Sequence, residues 1–205
     1  MADNQFLIVI GLDIEGYTNK PLDLQYDAQS TLEQWVVESC AFSQIATDPN
    51  NIVWIDTGDG GFLLFETTYR KALPFLERFY AQLHQHNRKS KESAAINVRA
   101  AVHCADSIRW NGKLGLKFSG SAVNVCARLL NGMSREYANQ VVASRDFLEK
   151  VSHPEPAVSA LRLPDYVDKH GIVHEVWNIR KQPGFGITPN EEDLNEDVNE
   201  WEFPS

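Results

Sequence analysis

The stretch "NIVWIDTGDGGFLLF" (residues 51–65) constrains the fold more than any other part of the chain. Apolar runs on either side of Gly58, Gly60 and Gly61 predict two short antiparallel strands joined by a glycine-rich turn. A chain containing such a hairpin must build a sheet around it and cover its apolar side chains. Asp59 at the tip fits ordinary turn chemistry, since aspartate tolerates turn backbone. Asp56 and Asp59 nevertheless lie between strongly apolar strands, where a carboxylate needs a reason. A ligand role is the alternative.

Around the hairpin, residues 6–13 are apolar throughout and predict a central strand covered on both faces. Residues 28–46 carry Leu32, Trp35, Val36, Cys40 and Ile45 at near-helical spacing, and 69–88 carry Leu73, Leu76, Phe79, Tyr80 and Leu83 likewise. Pro74 is tolerable in the first turn of that second helix. Residues 94–110 return to strand character. A third helix follows in "SGSAVNVCARLLNGM", with Ser119 or Ser121 as N-cap and Gly132 as stop. A strand over 140–144, a helix over 145–151 and a terminal hairpin ending in "GIVHEVWNI" complete the body. The order strand, helix, hairpin, helix, strand describes a βαββαβ, α+β plan with a mostly antiparallel sheet and helices on one face.

A length of 205 residues suits one domain, residues 1–180, followed by an acidic tail, residues 181–205. Residues 190–205 hold seven acidic residues and no Lys or Arg, so the net charge of −9 leaves the rest of the chain near −2. The tail reads as a mobile or lid-like appendage. No basic stripe appears, which argues against long nucleic acid as a partner while leaving room for a small phosphate ligand. The longest apolar run, residues 6–12, is too short to span a membrane, and no basic segment precedes it as in a secretory signal. Cys40, Cys104 and Cys126 are odd in number and lack CxxC spacing, which predicts reduced thiols in a cytoplasmic protein.

Three segments carry chemistry. In "GLDIEGYT" (residues 11–18), Asp13 ends the buried strand and Gly16 frees the backbone after it, a pattern suited to holding a metal and a phosphate. If strand 6–13 lies beside the hairpin, Asp13 and Asp59 emerge at one edge, and a divalent cation relieves the repulsion of two close carboxylates. Turn and cap roles are the plainer reading of each. In "GSAVNVCAR", Asn124 and Arg128 lie four apart on one helix face, where an amide and a guanidinium suit a reacting phosphoryl group. An ordinary solvated helix face is the plainer reading there. His84 and His86 read as surface histidines, since positions two apart do not share a helix face. His103-Cys104 lacks a partner ligand nearby and is set aside as a zinc site or nucleophile. "GFG" at 184–186 is too short for a dinucleotide motif, and Arg99 and Arg109 read as partners of surface acids, with lining of a triphosphate site as the alternative.

Together, "LDIEGYT", "TGDGGFLLF", "VRAAVH" and "FSGSAVNVCARLLNGMS…NQVVAS" resemble the class III nucleotidyl cyclases, the catalytic domain family of adenylate and guanylate cyclases. The resemblance covers residues 6–180. It implies a ferredoxin-like core that works as a homodimer with active sites at the subunit interface. It implies that Asp13 and Asp59 bind two Mg²⁺ or Mn²⁺ ions, with the backbone carbonyl of Ile14 adding a ligand. Glu15, Gly16 and Tyr17 match the segment whose backbone N–H groups hold the β- and γ-phosphates. Asn124 matches the residue that positions the ribose, and Arg128 the one that stabilises charge on the α-phosphate. Lys169, in the C-terminal hairpin, is the nearest match to a lysine that binds the triphosphate. With every one of these side chains present, turnover is expected rather than a non-catalytic nucleotide-binding module. The implied reaction is attack of the ribose 3′-oxygen on the α-phosphate with loss of pyrophosphate.

The chain departs from the family at the two positions that choose the base. Adenylate cyclases carry lysine four residues before the second metal aspartate and aspartate seven before the asparagine; guanylate cyclases carry glutamate and cysteine or another small polar residue. Here Ile55 and Lys117 stand there. Ile55 forms no hydrogen bond to a base edge, so one purine-reading contact is lost. Lys117 is a donor only and suits the carbonyls of uracil better than the amino group of cytosine or adenine, while guanine O6 is also an acceptor. The short domain is similar to the bacterial pyrimidine cyclases of anti-phage defence, whose cyclic UMP or cyclic CMP activates a separate cell-killing effector. The expectation is therefore a uridylate cyclase using UTP, with a cytidylate cyclase or an ordinary adenylate or guanylate cyclase as alternatives.

Overall fold

The computed structural model describes residues 3–45, 52–66, 71–113, 115–133, 137–151 and 159–180. The tail over 181–205 and its "GFG" lie outside the described residues. Strand β1 (Asp3–Ile14) is central, pairing antiparallel with β3 (Gly60–Phe65) on one side and β4 (Val98–Gly112) on the other. The predicted hairpin forms, with β2 (Ile52–Asp56) antiparallel to β3. Beyond β4 follow β6 (Val141–Ser144), β10 (Val176–Arg180) and β7 (Ser159–Arg162), giving the order β2-β3-β1-β4-β6-β10-β7. Among the described residues, β4 and β6 are the one parallel pair in that sheet. The first four strands show the ferredoxin-like order, so the α+β plan holds.

Alternation along β1 sends its side chains into two cores. Ile8, Ile10, Leu12 and Ile14 pack under α1 (Leu22–Phe42), α2 (Ala72–Lys89) and α4 (Arg145–Val151), with Leu32, Trp35, Phe75, Phe79 and Phe147 as their cover. Leu7 and Val9 face the other way, against Ala122, Cys126, Leu129 and Leu130 of α3 (Ala122–Gly132). Each large apolar side chain so buried contributes about 1.5–3 kcal/mol. The expectation of helices on one face is therefore corrected: α3 covers the opposite face. Its stripe of small and branched apolar residues needs a sheet surface of its own.

Other boundaries move for local reasons. α1 starts at Leu22, just after Pro21, rather than at 28, because its first turns leave Leu22 and Tyr26 81% and 73% exposed and so show no buried stripe. An unpredicted strand, β5 (Gly115–Gly120), folds back on the end of β4 with Lys117 opposite Trp110. Near the C-terminus of the body, β8 (Tyr166–Val167) and β9 (Val173–His174) form a separate two-stranded arm. Cys40, Cys104 and Cys126 are free and buried, and burial pushes all three thiols up to about 12. No helix among the described residues is long and apolar enough to cross a membrane.

Candidate active site

The tip of the hairpin sits against the end of β1. Asp13 is in register with Gly60, and the Ile14 N–H donates to the Asp59 carbonyl at 2.8 Å. The close approach demands glycine at 60, since a Cβ there would lie 2.0 Å from the Leu12 carbonyl oxygen. The two aspartates divide the work of the turn. Asp56 accepts the Gly58 N–H at 2.6 Å and closes an Asx turn. Asp59, half-buried, has no side-chain partner among the described residues.

Asp13 follows Val9 and Gly11 on the α3 side of the sheet. Its carboxylate accepts two hydrogen bonds from Arg99, directly opposite on β4, at 2.9 Å from Nε and 2.5 Å from Nη2. Arg99 also donates to the Met133 carbonyl at 3.3 Å, where α3 ends. Arg99, expected to pair with surface acids, instead clamps a candidate metal ligand. Arg109 does meet a surface carboxylate, Glu66, at 3.2 Å.

In the segment after Asp13, the Glu15 N–H donates to the Asn97 carbonyl, so it is already spent. Gly16 takes a left-handed conformation (φ 66°) that starts a short 3-10 turn over Tyr17–Asn19. Among the described residues the Gly16 and Tyr17 N–H groups make no backbone hydrogen bond, so both remain open to an anion.

Asn124 and Arg128 project from the outer face of α3, opposite its buried stripe. Asn124 is exposed and donates to the Gly120 carbonyl at 3.4 Å. Ser121 occupies the N-cap position without a side-chain cap bond. Arg128 Nη1 meets Asp168 Oδ2 at 3.0 Å. Asp168, whose side chain is 2% exposed, also accepts from His174 Nε2 at 3.2 Å and from the His170 and Ile172 backbone N–H groups at 2.8 and 3.0 Å. Burial pushes its carboxyl up, but these hydrogen bonds and the Arg128 charge outweigh it and bring it down to about 2. Lys169 is exposed in the turn that follows. Sequence reasoning missed Asp168, although an aspartate three residues before Gly171 in "DKHG" signals an Asx turn.

Of the base-selecting candidates, Ile55 is half-buried, in register with Phe62, and packs toward the α3 side. Trp54 turns to the opposite core, as alternation requires. Lys117 is exposed, while its neighbour Phe118 packs toward the α3 side. His84 and His86, expected at the surface, are half-buried, and His86 meets Trp35 edge-on with ring centres 5.4 Å apart. His103 is buried, with Nδ1 2.8 Å from Ser144 Oγ, and Cys104 is buried beside it, so neither forms a reactive pair.

Within the chain, no hydrogen bond or ion pair among the described residues joins Asp13 or Asp59 to Asn124, Arg128 or Lys169. No group of three or more His, Cys, Asp or Glu residues gathers as a metal site among the described residues. The open Asp59 carboxylate beside Asp13 fits a hard cation that takes its remaining oxygens from a ligand and water.

Solved structures share this architecture. It matches the adenylyl cyclase CyaB from P. aeruginosa with a TM-score of 0.66 at 14% identity, covering 90% of this chain and 98% of that one. The guanylyl cyclase Cya2 gives 0.69 at 12% identity, with 87% and 93% covered. The guanylate cyclase domain of RhGC from Catenaria anguillulae, solved in complex with GTP, gives 0.66 at 14% identity, with 88% and 100% covered. The fold is that of class III cyclase catalytic domains. No protein-family model matches the chain, and no curated protein matches it in sequence.

Proposed function

We propose that the protein is a cytoplasmic, homodimeric nucleotidyl cyclase that converts UTP into 3′,5′-cyclic UMP and pyrophosphate, as a second-messenger enzyme of anti-phage defence. The observation that carries the reaction class is that the end of β1 and the hairpin tip bring Asp13 and Asp59 together, on a fold shared with solved adenylyl and guanylyl cyclases. A GTP-bound neighbour supports a nucleoside triphosphate as the substrate class.

Asp13, Asp59 and the Ile14 carbonyl would hold Mg²⁺ or Mn²⁺. Such ions supply charge neutralisation of the triphosphate and a lowered pKa for the attacking hydroxyl. The Gly16 and Tyr17 N–H groups receive phosphate oxygens, and Lys169 adds a cation to the triphosphate. Asn124 orients the ribose so that its 3′-oxygen faces the α-phosphorus, and the 3′-hydroxyl proton passes to solvent water as the oxygen attacks. Arg128 stabilises the charge that gathers on the α-phosphate as the new P–O bond forms and pyrophosphate leaves with the electrons of the broken one. A dimeric guanylyl cyclase domain among the solved neighbours supports sites completed by a second copy. The base preference rests on Ile55, which offers a purine edge no hydrogen bond, and on Lys117, a donor suited to uracil carbonyls.

The test is complementation. Asp59→Ala and Arg128→Ala proteins are each expected to lose pyrophosphate release from UTP by at least about a hundredfold while staying folded. Mixing the two, after exchange of subunits, restores part of the activity because each heterodimer keeps one intact site. Full activity in Asp59→Ala would remove the metal assignment. No recovery on mixing would remove the shared site.

A further inference from the structure

We propose that Asp168 is a positioning residue: it fixes the guanidinium of Arg128 and ties it to the turn that presents Lys169, so that both cations meet one triphosphate as a unit. This rests on the cyclase reading above. The carboxylate takes three hydrogen bonds and one ion pair. Oδ1 accepts from the His170 and Ile172 N–H groups, and Oδ2 accepts from His174 Nε2 and faces Arg128 Nη1 as an ion pair at 3.0 Å. Backbone bonds from Asp168 N–H to the Ile172 carbonyl and from Gly171 N–H to the Asp168 carbonyl, both 2.9 Å, close the same turn. Asp168 is therefore held in place independently of Arg128, with its side chain 2% exposed, and it serves as a fixed anchor for a longer, more flexible side chain.

Arg128 needs such an anchor. Its side chain is 31% exposed, and an unrestrained arginine samples many rotamers. Among the described residues the Asp168 contact is the one ion pair of Arg128, which shares a helix face with Asn124. A transition-state donor fixed before substrate arrives acts without reorganising at the moment of reaction. Packing strengthens the tie: a Cβ at Gly132, one turn along α3 from Arg128, would lie 2.7 Å from the Tyr166 ring, so helix and arm fit closely. Tyr166 in turn stacks on His174, ring centres 6.1 Å apart.

The decisive variant is Asp168→Asn. With its carbonyl oxygen as Oδ1 it keeps the turn, while an amide nitrogen in place of Oδ2 removes the charge and the acceptor that face both Arg128 and His174. The expected result is a fall in kcat of about 10- to 100-fold with KM for the triphosphate changed by no more than about threefold. In an Arg128→Ala background the same change should cost nothing further, because the group it positions is gone. Unchanged kcat, or a loss that simply adds to that of Arg128→Ala, would overturn the proposal. A second measurement needs neither turnover nor the variant. In the ligand-free wild-type protein, nuclear magnetic resonance of the Arg128 side chain should show hindered rotation of the guanidinium. A freely rotating Arg128 overturns the positioning role even if the protein is a cyclase. A hindered Arg128 in a protein that cyclises none of the four triphosphates upholds the tie and overturns the cyclase reading alone.

Discussion

At the hairpin tip, two aspartates three residues apart have opposite fates. Asp56 is consumed by the turn through the Gly58 N–H, and among the described residues the Asp59 carboxylate beside the end of β1 has no partner. The sequence signalled that carboxylates there needed a reason but not how the roles were divided, because an Asx turn and a ligand use the same side chain. Asp168 was less legible still. Its weight comes from Arg128, forty positions earlier, and periodicity does not see contacts of that range. Arg99 shows a third case: a charge within a buried strand pointed to a partner, and the register of β1 on β4 selected Asp13. Among single residues, His103 gives a stability prediction. Burial, against a smaller upward pull from Asp146 at 3.9 Å and with a further downward push from His174, lowers it from the ordinary 6.5 to about 4. The unfolded chain therefore binds more protons than the native one between those values, and stability rises with pH across that window. The contribution is fully present above about pH 6.5 and is lost as pH falls toward 4, worth up to about 3 kcal/mol. Asp168, lowered to about 2, acts in a separate window: its contribution is present above the ordinary carboxylate range and lost below it. Urea unfolding at pH 7 and pH 5 should show wild-type protein losing more stability than His103→Gln, which takes up no proton. Equal losses would mean that His103 is not a buried neutral imidazole.

Among the elements, those with one buried stripe or one continuous apolar run were readable, as β1, the β2–β3 hairpin and α2 show. The start of α1 was hidden because its first turns bury little, and β5 because a six-residue strand bounded by two glycines carries little pattern. The second face of the sheet was missed for a different reason. A stripe on α3 says that the helix is buried on one side, not which side of the sheet receives it. The site depends on the approach of β3 to β1, which Gly60 permits. Gly60→Ala would place a methyl 2.0 Å from the Leu12 carbonyl oxygen, and the strands must part to admit it. Chemical denaturation should show a loss of at least about 2 kcal/mol, accompanied by loss of activity as Asp59 moves from Asp13. A stable, active Gly60→Ala protein would contradict the tight β1–β3 approach.

For the molecule as a whole, the order of elements was enough to predict an α+β ferredoxin-like body, because short connections leave few ways to arrange βαββαβ. Identities of 12–14% with solved cyclases of the same architecture mean that fold is shared far beyond sequence. Function is thus carried by a few side chains placed by that fold. On the proposed reading, Asp13 and Asp59 carry the reaction class, and Ile55 and Lys117 the base preference. The most direct measurement is a competition: purified protein with equimolar ATP, GTP, CTP and UTP plus Mn²⁺, and mass spectrometry of the cyclic products. A cyclase with Ile55 in its base pocket is predicted to yield cyclic UMP as the main product. Predominant cyclic AMP or cyclic GMP would contradict the pyrimidine assignment, and no cyclic nucleotide at all would contradict the cyclase itself.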